Sequence, residues 1–243
     1  MTRKPTPKQA PDKPTFKLTS AEVVPVGALW IVSAPSGGGK TSLCRALVPR
    51  LQARGLKVDI SLSCTTREPR AREHDGVDYH FVDEARFQAM VEAGEFVEHA
   101  GVFGRHYGTP RAPLETALAS DSVLLLDIDW QGARQIWAQY PQARGVFVLP
   151  PSVAELERRL RVREKDAGKN AQALIAKRMR AARAEISHYA EYPFVIINET
   201  FETALAEFEM LVVADALRSE AQSRRYSGLL HQLLDEPAGF SVE

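Results

Sequence analysis

The stretch that decides the fold is residues 29–43, which read LWIVSAPSGGGKTSL. An apolar run is followed by a glycine-rich turn, then by Lys40 and Thr41, and then by a helix-like pattern. Glycines in such a turn let backbone N–H groups point at an anion, and the dipole of the following helix strengthens the attraction. At these positions Lys40 reaches the β/γ-phosphates and the Thr41 hydroxyl holds Mg²⁺. The stretch predicts a nucleoside-triphosphate site, although Ala34 replaces the first glycine of the usual G-x-x-x-x-G-K-[ST] pattern.

Length and charge narrow the possible partners. The chain has 243 residues, enough for one large α/β domain, and equal numbers of basic and acidic residues, 31 each. No global field attracts it to nucleic acid or membrane, so we expect neither partner and a local phosphate site. No apolar run has the length of a membrane span, and Cys44 and Cys64 suit reduced packing residues, so we expect a cytoplasmic protein. The oligomeric state stays open.

Apolar strands alternate with amphipathic helices along most of the chain, which predicts a parallel sheet with helices on both faces. The run 123–127 ends in an acid, as expected of a buried parallel strand. Two insertions, one β-rich and one Arg-rich, are expected to face each other across the carboxyl ends of the strands. The predicted divisions are a disordered basic, Pro-rich tail (1–26), a core (27–62, 110–157 and 179–223), a small β-rich lobe (63–109), a lid (about 158–178) and a flexible C-terminal tail (224–243).

Six motifs follow one another in a fixed order. They are the phosphate loop, Ser-x-Thr-Thr-Arg-x-Pro-Arg from Ser63, Gly-x-Asp-Tyr-x-Phe from Gly76, Glu-Phe-x-Glu from Glu95, Tyr-Gly-Thr from Tyr107 and Leu-Asp-Ile-Asp-x-Gln-Gly from Leu126. Each motif is weak alone, but together they resemble guanylate kinase over roughly residues 28 to 215. The resemblance implies one such domain over 27–223, with a GMP-binding lobe and an Arg-bearing lid. It also implies the reaction ATP + GMP to ADP + GDP with Mg²⁺.

The GMP site follows from the residues and from the resemblance together. A phosphate monoester carries about −1.5 to −2 charge near pH 7, and two guanidinium groups three residues apart can clamp it. By resemblance, Arg67, Arg70, Tyr79 and Tyr107 hold this phosphate. The resemblance also implies that Ser63, Glu98 and Thr109 bind the guanine edge. Asp127 and Asp129 are assigned to the same site, but their roles stay open. They could orient Mg²⁺-bound water, the clamp arginines or the guanine, or they could cap a helix.

The remaining site residues belong to the triphosphate side and the lid. The ATP-binding set is Ala34, Pro35, Ser36, Gly37, Gly38, Gly39, Lys40, Thr41 and Asn198, where Asn198 matches a family position beside the adenine. The catalytic set is Lys40, Arg67, Arg159, Arg163 and Arg178. The segment from Arg163 to Arg178 is longer than is usual in the family, and Glu164 replaces an expected glycine.

Two other functions are compatible with the same fold. One is a non-catalytic guanylate-kinase-like module that binds phosphopeptides, but such modules generally have a degraded phosphate loop, whereas Lys40 and Thr41 are present here. The other is a kinase of a different phosphorylated small molecule, against which the guanine-edge residues argue.

Overall fold

The computed structural model describes residues 27–71, 73–102, 104–120, 122–163 and 171–234, without the side chains of residues 163, 171, 224 and 225. The predicted N-terminal tail, the segment 164–170 within the predicted lid and residues 235–243 lie outside the described residues. Two sheets make up the β-structure of the described part: one of five strands and one of four.

The five-stranded sheet forms the core, and all of its pairings are parallel. Its strands are β1 (Ala28–Ser33), β2 (Lys57–Ile60), β7 (Ser122–Asp127), β8 (Arg144–Leu149) and β9 (Phe194–Ile197). They lie in the order β2-β7-β1-β8-β9. Side chains alternate along β1, so that Trp30 and Val32 join one apolar cluster while Leu29 and Ile31 join another. Both faces of the sheet are therefore buried, as the continuous apolar runs predict.

Helices cover both faces, which confirms the predicted fold class. On one face lie α1 (Lys40–Gln52) and α7 (Phe201–Asp215), whose Leu47 and Phe208 are fully buried. On the other face lie α3 (Arg111–Ala119) and α4 (Trp130–Gln139), which contribute Leu114 and Ile136. The phosphate loop connects the end of β1 to the start of α1, at the carboxyl edge of the sheet.

The four-stranded sheet lies between β2 and α3 in the chain. Its strands are β3 (Cys64–Thr65), β4 (His80–Phe81), β5 (Phe96–Val102) and β6 (Arg105–Pro110), in the order β4-β3-β6-β5. The helix α2 (Glu84–Glu92) packs against it, because Phe87 and Met90 form a separate small core with Cys64 and Phe96. This sheet is the β-rich unit expected from the short strands and turns.

Two further helices, α5 (Val153–Arg163) and α6 (Ala171–Ile186), pack on each other through Leu156, Leu160 and Ala182. The Ser152 hydroxyl accepts a hydrogen bond from the Glu155 N–H at 3.1 Å and so caps α5.

The C-terminal region does not follow the predicted boundary between the core and the tail at residue 223. After α7 the chain forms two short helices, α8 (Ser219–Arg225) and α9 (Ser227–Leu234), so part of the segment assigned to a flexible tail is helical. None of the described helices is both long and apolar enough to cross a bilayer.

Candidate active site

The phosphate loop depends on glycine at each of three positions. Gly37 and Gly39 adopt φ of 89° and 97°, which side-chain-bearing residues rarely adopt. The Gly38 N–H donates to the Pro35 carbonyl at 2.7 Å and closes the turn. A Cβ on Gly39 would lie 2.5 Å from the Asn198 side-chain nitrogen, so there is no space for a side chain. The loop is thus held open for an anion by backbone geometry.

The departure of Ala34 from the usual pattern is accommodated within the loop. A Cβ on Gly38 would lie 2.8 Å from the Ala34 Cβ, which is shorter than real contacts of this kind. Gly38 does not have a positive φ, so space rather than backbone conformation requires a glycine there. The methyl group of Ala34 occupies the volume that a methyl group on residue 38 would take.

Lys40 and Thr41 meet one carboxylate, that of Asp127. The Lys40 Nζ lies 2.6 Å from Asp127 Oδ1 and 2.9 Å from the Ile128 carbonyl, and the Thr41 hydroxyl donates to Asp127 Oδ2 at 2.6 Å. Strand register explains the proximity, because Asp127 pairs with Val32 at the end of β1. Burial acts to lower the pKa of Lys40, but the charge of Asp127 and its hydrogen bond outweigh burial and raise it. Lys40 therefore stays cationic.

Opposite the loop, Arg67 and Arg70 share the carboxylate of Glu73. Arg67 Nη2 lies 2.8 Å and Arg70 Nη1 3.0 Å from its oxygens. The Arg67 guanidinium also lies over the ring of Tyr79, with 5.4 Å to the ring centroid, and the Tyr79 ring meets that of Tyr107 edge-on. Burial acts to raise the pKa of Glu73, but hydrogen bonds from Arg70 and Arg67 lower it on balance, so a carboxylate stands between the two guanidinium groups.

Glu98 is buried at the base of the four-stranded sheet. Its carboxylate accepts a hydrogen bond from the Thr109 hydroxyl at 2.5 Å, and only 4% of the residue is exposed. A Cβ on Gly132 would lie 2.5 Å from Glu98 Oε2, so this glycine makes room for the carboxylate. Burial raises the pKa of Glu98 to about 7, with Asp129 adding to the increase and the Thr109 hydrogen bond opposing it.

Asp129 caps α4. Its Oδ1 accepts hydrogen bonds from the N–H groups of Gln131 and Gly132, both at 3.0 Å. The capping alternative thus applies to Asp129, whereas Asp127 contacts the phosphate-loop lysine and threonine. The Asp127 carboxylate bonds Lys40 and Thr41, and it also lies near the clamp, because its charge adds to burial in raising the pKa of Tyr79.

One cleft of about 540 Å³ runs between the two sheets and collects most of the predicted site residues. They are Ala34, Pro35, Ser36, Gly37, Gly38, Gly39, Lys40, Thr41, Ser63, Arg67, Arg70, Tyr79, Glu98, Tyr107, Asp127, Asp129 and Arg178.

Three predicted site residues whose side chains the structure describes are not among those that line the cleft. Thr109 lies fully buried behind Glu98. The Asn198 amide donates to the Gly38 carbonyl of the phosphate loop at 3.0 Å. Arg159 donates to the Asn198 and Gly38 carbonyls and pairs with Glu155. These three residues support the site from behind, and the Arg163 side chain lies outside the described residues.

Several residues at the site escaped the sequence prediction. Glu185 lines the cleft and accepts a hydrogen bond from the Ser36 N–H at 2.9 Å. Arg105 also lines the cleft, Glu73 bridges the clamp, and Gly132 accommodates Glu98. The one available signal for Glu185 was its position seven residues after Arg178, which places both on one face of a helix.

A phosphate loop with its lysine, facing a second cationic clamp across one cleft, is the arrangement of a P-loop kinase whose acceptor is itself phosphorylated. The family model described as guanylate kinase matches residues 27–215. Guanylate kinases of Vibrio vulnificus (strain YJ016) and Vibrio cholerae are each 50% identical over 210 residues, which is 86% of this chain and 99% of theirs. The crystal structure of guanylate kinase from Anaplasma phagocytophilum matches with a TM-score of 0.65 and 31% identity, covering 83% of this chain and 96% of that one. The chain belongs to the guanylate kinase family.

Proposed function

We infer that this chain transfers the γ-phosphoryl group of ATP to GMP, giving ADP and GDP. The observation that carries this conclusion is the single cleft lined by Lys40 of the phosphate loop, by the Arg67 and Arg70 clamp, and by the buried carboxylate of Glu98. Each substrate phosphate thus has cationic side chains to bind it, and both sets of side chains line the same cleft. Family membership supports the same reaction and makes the chain a nucleoside monophosphate kinase.

On the triphosphate side, the loop N–H groups and Lys40 bind the β/γ-phosphates. The helix α1 begins at Lys40, directly after the left-handed Gly39, so its N-terminal dipole points at the same anion. Asn198 and Arg159 hold the Gly38 carbonyl from behind, which keeps that carbonyl turned away from the phosphates. Lys40 would then exchange part of its contact with Asp127 for phosphate oxygens.

Mg²⁺ accompanies ATP in this proposal, and the residues present suit it. The Thr41 hydroxyl and the Asp127 carboxylate lie 2.6 Å apart at the end of the loop. Magnesium prefers oxygen ligands and usually takes one or two from protein, with phosphates and water completing the set. When bound, the ion neutralises charge on the β/γ-phosphates.

On the acceptor side, the GMP phosphate binds Arg67 and Arg70, with the Tyr79 and Tyr107 hydroxyls as further donors. Glu98 accepts the guanine N1–H and N2–H₂, and Ser63, which is 8% exposed, lines the cleft beside it. Thr109 holds Glu98 in place rather than touching the base. This division gives phosphate affinity to the arginines and base specificity to the carboxylate.

The chemistry needs positioning and neutralisation more than covalent help from the protein. The GMP phosphate is already an anionic nucleophile, so no general base is required. Lys40 neutralises charge on the β/γ-phosphates, and Arg178, which lines the cleft from α6, stabilises charge on the transferring group. We propose that the lid and the four-stranded lobe close over the substrates and exclude water. The proposed divisions remain 27–62, 110–157 and 179–223 for the core, 63–109 for the lobe and about 158–178 for the lid.

A coupled assay of ADP release across GMP, AMP, CMP and UMP tests this function. We expect kcat/KM for GMP to exceed that for AMP by about 10⁴, the discrimination typical of sites built on hydrogen bonds to the substrate. A lack of activity with all four nucleoside monophosphates would favour the non-catalytic module. A preference for another phosphorylated acceptor would favour a kinase of a different small molecule. We place the reaction in the cytoplasm, which cell fractionation tests.

A further inference from the structure

Two side chains of the helix α6 contact the phosphate loop at Ser36. The Ser36 N–H donates to Glu185 Oε2 at 2.9 Å, and Arg178 Nη1 donates to the Ser36 hydroxyl at 3.3 Å. Arg178 and Glu185 are seven residues apart, so they lie on one face of α6, about two turns from each other. Both line the cleft. Glu185 is thus the contact between the backbone of the loop and the helix that carries Arg178.

The apolar contacts between α6 and α5 do not set the position of α6 along the loop. Met179, Ala182 and Ile186 pack against Leu156 and Leu160 of α5. Burial of this kind stabilises the pair but is non-directional, so it tolerates small shifts of one helix along the other. A hydrogen bond to a backbone N–H is directional and weakens steeply when its geometry changes. The Glu185 contact therefore restricts the sliding and tilt that the apolar interface permits.

The chain just after α6 is anchored to the start of α4. Glu191 accepts hydrogen bonds from Arg134 at 2.6 and 2.8 Å, and the His188 ring stacks on Trp130 with 3.7 Å between centroids. Arg178 lies ten residues before His188, roughly 15 Å along the helix, so a tilt of about 5° about this anchor moves Arg178 by about 1 Å. Displacements of that size can cost about 10² in rate. A second fixed point between this anchor and Arg178 restricts the tilt of α6. Glu185 lies between the two and provides that point through its bond to Ser36.

We propose that Glu185 is a positioning residue, which holds α6 against the phosphate loop through the Ser36 N–H and thereby places Arg178 in the cleft. The catalytic consequence rests on the proposed function, whereas the contact between helix and loop does not. Burial raises the pKa of Glu185 on balance, with Asp129 adding to the increase and the Ser36 N–H, Lys40 and Arg178 opposing it. A glutamine at this position keeps an acceptor oxygen for Ser36 and loses only the charge.

Amide hydrogen exchange tests the contact without requiring activity. In Glu185→Ala, we expect the Ser36 N–H to exchange about tenfold faster or more, because an accepting oxygen has been removed. Glu185→Gln should keep most of the protection. The matched control is Glu157→Ala, which removes a glutamate of α5 that pairs with Arg161 on the same helix. Unchanged Ser36 exchange in Glu185→Ala would overturn the proposal.

A double-mutant cycle tests the consequence. We expect Glu185→Ala to lower kcat about 10- to 100-fold with little change in KM for GMP, and Glu185→Gln to stay within about threefold of the parent. In an Arg178→Ala background, Glu185→Ala should cost little more, because a residue that acts through another loses its effect when that partner is gone. The proposal would be contradicted if Glu185→Ala lowered kcat equally in the parent and in the Arg178→Ala background. It would also be contradicted if Glu185→Gln and Glu185→Ala lowered kcat equally. A parent chain inactive on GMP would instead refute the proposed function, and the exchange experiment would still decide the contact.

Discussion

The phosphate loop and the lobe that faces it both present groups suited to binding an anion, but they hold these groups by different means. The loop uses consecutive residues whose glycines fix the backbone, and its lysine is balanced by Asp127 from the neighbouring strand. The lobe collects side chains from β6 and from the segments around β3 and β4. It orders them by contacts among themselves, with Glu73 between Arg67 and Arg70.

This difference has a consequence for binding. Backbone N–H groups cannot leave the loop, so its anion site exists before ATP arrives. The clamp carries the Glu73 carboxylate, which the phosphate of GMP must share or displace in the proposed function. We therefore expect changes in the loop to act mainly on the chemical step, and changes in the clamp to act mainly on GMP affinity.

The largest effect is expected from Lys40→Met. The substitution removes the charge that faces the β/γ-phosphates, and losses of preorganised charge typically cost about 10²-fold or more in kcat. Steady-state kinetics measure the loss, and circular dichroism checks that the protein stays folded. Lys57→Met, at an exposed position of β2, is the matched control. Retained turnover in folded Lys40→Met would refute the assignment of the loop.

A somewhat smaller effect is expected from Arg67→Ala, or from Arg70→Ala. Each removes charge-assisted hydrogen bonds worth about 1.5–3 kcal/mol, which corresponds to about a 10- to 100-fold increase in KM for GMP. The KM for ATP should change little. Arg86→Ala serves as the control, because Arg86 belongs to the same lobe and pairs with exposed Glu95. An equal increase in both KM values would mean that the clamp also serves the other nucleotide.

Base choice should depend on Glu98. Glu98→Gln keeps one acceptor oxygen but adds an amide N–H group, from which the unprotonated N1 of adenine can accept a hydrogen bond. We expect kcat/KM for GMP to fall and the gap between GMP and AMP to narrow by about tenfold or more. The comparison needs both nucleotides under saturating ATP. A variant that discriminates as sharply as the parent would remove Glu98 from base recognition.

The same residue predicts a pH dependence. Guanine binding requires the carboxylate, and burial raises the pKa of Glu98 to about 7, so the competent form is lost as pH falls. Between pH 8 and pH 6 we expect kcat/KM for GMP to fall by about tenfold beyond any fall in Glu98→Gln, which also controls for ionisation of the GMP phosphate. Parallel profiles for the two proteins would contradict this assignment.

The loop itself can be tested by exchanging one methyl group. Gly38→Ala should destabilise the protein by about 1–3 kcal/mol, the usual cost of overpacking, because the new Cβ meets that of Ala34. Adding Ala34→Gly should recover part of this loss, since the new Cβ would still lie 3.0 Å from the Pro35 carbonyl oxygen, and Ala34→Gly alone is the control. Chemical denaturation measures all three. If the double variant is no more stable than Gly38→Ala, the Ala34 contact is not the obstacle.

The smallest effect is expected from deletion of residues 1–20. A segment rich in proline and lysine has few apolar side chains to bury, so activity and melting temperature should stay nearly unchanged. A decrease of several degrees in melting temperature would indicate that the segment packs against the core or another subunit.

The sequence predicted the core well because its signals are local. The run Val123 to Asp127 and the glycine turn before Lys40 each lie within a few residues, and periodicity distinguishes their structures. The break after α7 was missed, since the residues after 215 continue a helical composition and the turn there contains neither glycine nor proline. The family motifs likewise identified Arg67 and Glu98, each of which the structure brings into the cleft.

The sequence does not show which predicted site residues line the cleft, and the reason is physical. Whether a polar side chain faces a cleft or supports it from behind depends on packing between distant segments, which spacing does not encode. Thr109 lies behind Glu98, and Asn198 lies behind the loop, 160 positions from the carbonyl it contacts. Glu185 was missed for the same reason, as its partner Ser36 is 149 positions away.

The most direct test of two separate anion sites in one cleft is a crossed titration. Calorimetry would measure the affinities of Lys40→Met and Arg67→Ala for GMP and for a non-hydrolysable ATP analogue with Mg²⁺, beside the parent. We predict that Lys40→Met weakens the ATP analogue and leaves GMP within about threefold, and that Arg67→Ala does the reverse, since each variant removes charge from only one site. Equal weakening of both ligands by either variant would contradict the account.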